Sequence, residues 1–383
     1  MASKDDRRRL SVDASPRLAG ADPLAPAFVR HLGDTTARIL HTQAWFVGAS
    51  LICLVAALVT AEVVGQKLRF GIYGNVQLAF FLNLAVIYIV LRIGWTLIRE
   101  RPARPLRPVW NDLIGNFAIG RRVVTAVPAL ILLPLVLSAY TSMKTMIPAI
   151  APFDWDARLA ILDTRLHGGE APWALLQPLL GAAQVTHWID WAYGPLWFWL
   201  LMMLQFWQAF SLHAERVRFL TTFVLSWALL GAVMATFFAS AGPAYYGAFV
   251  VEPDPYAPLL AYLNSAAESA PVLALHAQAD LWRIFGAGEV NLAAGISAMP
   301  SMHLSMGTLM VLATWRLGPF ARILSGLYLL ILLVGSIHLA WHYAIDGYVA
   351  IIGTWVIWWA VGLVLDWRDG AAQTTQIPTT KRP

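Results

Sequence analysis

The chain has 383 residues, of which 58% are apolar and only 13% charged, with a mean hydropathy of +0.61, 18 Trp and a formal net charge of +5. Soluble chains carry about 25% charged residues, so this composition excludes a disordered chain, a disulfide-stapled module and an ordinary cytosolic enzyme, and predicts an all-α polytopic membrane helix bundle. The single cysteine, Cys53, excludes an intrachain disulfide and a Cys-based metal cluster.

Residues 1–43 carry seven Lys/Arg and read as a basic cytoplasmic segment. Arg7, Arg8 and Arg9 are not followed by an apolar stretch, so they do not make an export signal. Apolar runs of about 20 residues, enough to cross a ~30 Å hydrocarbon layer as helices, fall near 44–64, 76–98, 123–143, 188–210, 218–240, 302–316, 322–340 and 344–365. These predict about eight transmembrane helices. Two of them and a basic loop make up 44–122, a larger helical unit occupies 123–365, and a polar cytoplasmic tail follows at 366–383.

Placing the N-terminus inside puts 21 of the 27 Lys/Arg on the cytoplasmic side. Both termini are then cytoplasmic, and the net charge reflects topology, with no nucleic-acid partner implied. The outer side holds 12 of the 22 Asp/Glu and two long loops, about 144–187 and 241–299. Loops of that size in a compact bundle are usually functional or capping. In the first, Trp155, Leu159, Leu162 and Leu166 recur at helical spacing and predict a helix lying in the interface. His167 and His187 read as surface residues of that loop, and Asp190, among Trp188, Trp191 and Tyr193, as part of an aromatic belt. The short loops and the lack of a eukaryotic targeting signal point to a bacterial inner membrane.

Three of nine histidines, His303, His338 and His342, fall at the predicted outer ends of the last three spans. Ionisable groups there are functional candidates by default. His342 and Asp346 are four apart, so on a helix they share a face, and the carboxylate can hold one ring nitrogen while the other meets a substrate. A purely structural pair closing a polar gap is the competing explanation. Pro300 suits a first helical turn, where free amides and the Ser301 hydroxyl form a place for an anion and His303 is placed to protonate a leaving group. Together, two histidines, one backed by a carboxylate and one beside an anion nest, suit phosphoryl transfer through a phosphohistidine.

These strings resemble the type 2 phosphatidic acid phosphatase superfamily: Pro300, Ser301 and His303 match its second motif, and His342 and Asp346 its third. The resemblance implies a six-helix core within 123–365, with two additional N-terminal spans. It implies His342 as nucleophile, Asp346 as its orienting partner, His303 as general acid and Ser301 as phosphate ligand. The third motif ordinarily carries Ser-Arg where this chain has Gly335-Ser336, and the first, Lys-x6-Arg-Pro, survives only as Lys144 and Ala151-Pro152. Two phosphate-binding arginines are therefore missing. His342-Tyr343-Ala344-Ile345-Asp346 and Gly242-Pro243-Ala244-Tyr245-Tyr246 look like the branch that includes inositol phosphorylceramide synthases, which adds Tyr245 and Tyr246 as candidate substrate contacts. Lys144, Arg283 and His338 are the candidates to replace the missing arginines.

The expectation is a membrane lipid phosphotransferase or phosphatase acting on a lipid phosphate and an alcohol or water acceptor, with no cofactor and no metal. Fewer phosphate charges to neutralise favour a diester and transfer. A metal or haem site on the single His338-x-x-x-His342 box, and a transporter or scaffold, are the alternatives from other classes.

Overall fold

The computed structural model describes residues 41–101, 106–251 and 253–375, so residues 1–40 of the predicted basic segment and the tail after 375 lie outside the described residues. By their internal contacts, the described residues from Ala44 onward form one compact unit. It is an all-helical membrane bundle. Its principal helices are α1 (Ala44–Val64), α2 (Gly74–Glu100), α3 (Ile119–Ile150), α4 (Asp156–Leu166), α5 (Pro172–Leu180), α6 (Ala183–Trp191), α7 (Trp197–Phe210), α8 (Glu215–Leu225), α9 (Ala257–Ser269), α10 (Leu273–Ala287), α11 (Met302–Thr314), α12 (Pro319–His338) and α13 (Ala344–Thr375).

Among the described residues, six segments are long and apolar enough by themselves to cross a membrane: α1, α2, α3, the run Glu215–Phe237 that begins as α8, α12, and α13 as far as Arg368. The other two predicted spans are helical but differ in form. Residues 183–210 are α6 and α7 joined by a π-helical turn, Ala192–Leu196, which contains Pro195. Proline removes a backbone donor and disturbs the helical ladder, which accounts for the irregular turn. The 302–316 span is a 13-residue α11 followed by a short turn. The last helix runs on to Thr375, through the first part of the predicted tail.

On α1, Ile52 and Val63 are 70% and 82% exposed in the bare protein, and α2 has a similar outer face. Apolar surface on this scale is stable only against hydrocarbon. The inner faces of α1, α3, α7, α8, α11 and α13 meet in a core that includes Phe46, Leu133, Leu220, Phe223, Met306 and Leu309. The helices α4, α5, α9 and α10 belong to the two long loops, which are therefore folded, not open.

A helix is present at the predicted place as α4, with the predicted apolar stripe divided between its two sides. Asp156, Leu159, Ala160 and Asp163 form its buried face, while Leu162 and Leu166 point outward. Asp156 and Asp163 are seven apart, two turns on one face, and both accept buried backbone amides. Asp190 also departs from the aromatic-belt expectation: it is buried and accepts the amides of Leu273 and Ala274, capping α10. Nor is His167 a free surface residue, since its ring bridges the Asp163 carbonyl at 2.7 Å and the Tyr348 hydroxyl at 2.9 Å.

Candidate active site

Helix α12 ends at His338, and the chain turns through Ala340, whose φ of 58° lies in the left-handed region. The amides of Trp341 and His342 both donate to the Ser336 carbonyl at 3.0 Å, pinning His342 beside the end of α12. Helix α13 begins only at Ala344, so His342 and Asp346 do not share a helical face as the spacing predicts. Their pair forms across the helix start instead. His342 Nδ1 lies 3.2 Å from Asp346 Oδ2, which also accepts the Tyr343 amide at 3.1 Å. Asp346 is fully buried and His342 is 9% exposed. An imidazole held at Nδ1 by a carboxylate has its tautomer fixed and presents Nε2 as a nucleophile or base.

The second string meets the first through backbone: the Ser301 amide donates to the Asp346 carbonyl at 3.2 Å. Ser301 is the N-cap position of α11, so Pro300 lies ahead of the helix and not in its first turn as the sequence predicts. The Ser301 hydroxyl is buried without a hydrogen-bond partner. His303 lies in that first turn, its ring stacked on Tyr193 at 4.3 Å between centroids and tilted against Trp197 at 4.1 Å. Its imidazole is within electrostatic reach of both His342 and Lys144.

Lys144 projects from α3 against Gly295, whose φ is +92° and where an added Cβ would fall 2.9 Å from Lys144 Cγ. Only glycine allows this approach. Gly295→Ala should therefore lower the melting temperature in detergent, with a backbone cost of about 1–3 kcal/mol, and raise KM if Lys144 is displaced. An unchanged melting curve and KM would show that the loop yields freely.

The histidine loop is held from above by the long loops. Asp156 accepts the amides of Ala241 and Gly242, each at 2.8 Å, and the Tyr343 hydroxyl at 2.7 Å. Asp163 accepts the amides of Ala344 and Ile345 at 2.9 and 3.0 Å, the free amides at the start of α13. Burial pushes both carboxyls up from the ordinary aspartate range, and their amide hydrogen bonds oppose that shift. The Gln278 side chain and the Ala244 amide take the carbonyls of Leu339 and Ala340.

The structure thus brings His342, Asp346, Ser301, His303 and Lys144 together. It does not bring in the others. Arg283 is 64% exposed and paired with Asp280 at 3.3 Å. His338 is buried with Nε2 at 2.9 Å from Thr186 Oγ1, itself 2.6 Å from the Tyr262 hydroxyl. Because α12 stops at His338, the His338-x-x-x-His342 box is not one helical face. Tyr245 donates to the Gln278 carbonyl at 3.0 Å and stacks on Trp282, and Tyr246 packs on Tyr256. Both tyrosines support the loop. Sequence reasoning missed Asp156 and Asp163, whose seven-residue spacing on a predicted helix was the available signal. Tyr193 and Trp197 left no signal at all.

A membrane bundle with a carboxylate-held histidine beside a second histidine and a lysine defines a class of integral-membrane protein equipped for phosphoryl chemistry. A family model of the PAP2 superfamily matches residues 157–360, more than half of the chain, and the chain belongs to that superfamily of membrane phosphatases and phosphotransferases. No curated protein and no solved structure matches it.

Proposed function

We propose that the protein is a metal-independent lipid phosphotransferase of the inositol phosphorylceramide synthase-like branch, which moves a phospho-headgroup from a lipid phosphodiester to an alcohol through a phosphohistidine. The observation that carries this reading is the 3.2 Å pair of His342 and the buried Asp346, with His303 and Lys144 in electrostatic reach.

The chemistry runs in two balanced halves. The Nε2 lone pair of His342 attacks phosphorus as the bond to the leaving oxygen breaks, and that oxygen takes its proton from His303, whose imidazolium form burial disfavours until the phosphate anion is bound beside it. An acceptor hydroxyl then attacks phosphorus, its proton passes to the now neutral His303, and the P–N bond breaks. Lys144 and the Ser301 hydroxyl hold the phosphate oxygens. General acid catalysis of this kind contributes roughly 10² to 10⁴ in rate.

Transfer from a diester is favoured because Ser336 stands where the superfamily motif ordinarily has arginine, and its hydroxyl is turned to the Leu333 carbonyl at 2.7 Å. With fewer cations at the phosphate, a monoanion suits the site better than a dianion. The second reading, a lipid phosphate phosphatase, uses the same first half with water as acceptor. On this reading the site faces the outer side of a bacterial inner membrane and both termini are cytoplasmic. The Lys/Arg distribution supports that orientation, and Arg122 and Arg216, on the far side of the bundle, bind the last carbonyls of α7.

The test is turnover by the detergent-purified protein in EDTA of phosphatidic acid, a polyprenyl phosphate and phosphatidylinositol, each with lipid alcohols as acceptors. A new phospholipid with little free phosphate is the expected product. Free phosphate from the monoesters alone would make this a phosphatase. Inertness toward all of them would move the protein to a transporter or scaffold role.

A further inference from the structure

Tyr193 has no part in the chemistry above, yet it lies against its centre. It sits in the π-helical turn between α6 and α7 and is 3% exposed. Its ring is nearly parallel to that of His303, at 13°. Its Cβ and Cδ2 also lie close to Gly335, where an added Cβ would fall 3.3 Å from Tyr193 Cδ2. Gly335-Ser336 is the pair that replaces Ser-Arg, so the tyrosine fills space beside the segment from which the arginine is missing.

The hydroxyl of Tyr193 is directed at Ser301 Oγ and lies in the field of Asp346. Neither hydroxyl completes a hydrogen bond of good geometry, and Trp197 Nε1, beside the same His303 ring, is buried and unpartnered as well. A buried donor left unsatisfied costs about 1–3 kcal/mol. Trp197 Nε1 has no acceptor among the described residues, and the facing hydroxyls of Tyr193 and Ser301 have only each other, which leaves at least one of their two protons without an acceptor. A phosphate group between Ser301 and the two histidines supplies oxygens to such donors.

We propose that Tyr193 is a substrate-binding and specificity-determining residue, whose hydroxyl donates a hydrogen bond to a non-bridging oxygen of a phosphodiester. This rests on the reading of His342 and His303 as the phosphoryl-transfer pair. No bond to Tyr193 forms or breaks, and it keeps its proton throughout. Its contribution is a donor without a charge. Among the described residues, Lys144 and a protonated His303 are the cations at the phosphate and Asp346 is the anion beside them, so the net single positive charge matches a diester monoanion, whereas a monoester dianion leaves one charge uncompensated. A neutral donor in place of a guanidinium thus selects the diester.

The test compares wild type, His342→Ala and Tyr193→Phe, all full length in detergent micelles, on phosphatidylinositol and phosphatidic acid. The phenylalanine keeps the ring stack and removes only the O–H. Its kcat/KM for phosphatidylinositol should fall about 10-fold to 100-fold, the range for a hydrogen bond to a charged group, through KM as well as kcat. A value within threefold of wild type, with His342→Ala inactive, overturns the role of Tyr193 and leaves the catalytic pair standing. Equal activity of His342→Ala and wild type overturns the catalytic reading itself. A second measurement covers a Tyr193→Phe protein that fails to fold. With 2,3-difluorotyrosine at position 193, the more acidic phenol loses its proton at lower pH, so the alkaline limb of the kcat/KM profile should move down. A limb that stays in place marks a packing residue and overturns the proposal.

Discussion

His342→Ala is expected to reduce turnover by about four orders of magnitude or more, because it removes the atom that bonds to phosphorus in the proposed mechanism. The fold should survive, since the His342 side chain makes its hydrogen bond to Asp346 alone among the described residues and its backbone amide is held independently by Ser336. Asp346→Asn should fall less far. It preserves shape but offers an amide where the imidazole Nδ1–H needs an acceptor, and a comparable exchange in a Ser-His-Asp triad costs about 10⁴. His303→Ala combined with His342→Ala should be no worse than His342→Ala alone, because residues that act in one step are not additive. The decisive measurement is radiolabel from a phosphate-labelled phosphatidylinositol. It should be trapped on wild type in an acid-labile, base-stable form and be absent from His342→Ala. Label trapped equally on both would end the assignment of His342 as nucleophile.

The second large effect is expected away from the reacting atoms, at Asp163. Its carboxylate accepts two amides at the start of α13, 181 and 182 residues away in sequence, and Asp346 lies in that same first turn. Asp163→Ala leaves both amides buried and unbonded, at about 1–3 kcal/mol each. It should lower the melting temperature clearly and also reduce kcat by about 10²-fold, the scale on which a 1 Å displacement is felt in catalysis. Asp163→Asn retains one acceptor and should fall between. Phosphohistidine should still form in these variants, only slowly, which separates a positioning residue from the nucleophile. If Asp163→Ala melts and turns over like wild type, α4 is a cover and does not position the site. Asp156, which ties Tyr343 to the Ala241-Gly242 turn, should behave in the same way.

Much of this architecture was open to inspection in the linear chain. Apolar runs report membrane helices because transfer to hydrocarbon is close to additive over about 20 residues. Six of the eight predicted spans are long enough to cross a membrane alone, although Glu215–Phe237 is π-helical from Ser226 to Met234, and the two that are not coincide with Pro195 and with a run already short in sequence. The His342 to Asp346 pairing was legible from local spacing, although the helix that the spacing assumed starts two residues later. The Leu stripe located α4 but not its partners, since Leu159 is buried while Leu162 and Leu166 face outward, and amphipathicity does not say which face turns inward. In α4 the inward face carries both carboxylates with Leu159 and Ala160, because two segments need acceptors for their amides and Tyr343 needs one for its phenol.

What the sequence by itself determined was the membrane class, the helical passes and the two strings that carry His303 and His342, all of which depend on residues within a turn or a span of one another. The tertiary structure alone decided which cation accompanies the histidines. Lys144 approaches across Gly295 while Arg283 stays at the surface with Asp280. It alone also placed Asp156, Asp163 and Tyr193 around them. These are contacts over 100 or more residues of chain, such as the 187 between Asp156 and Tyr343, and no local periodicity encodes them. They arise because buried donors and carboxylates must find each other once the helices have packed.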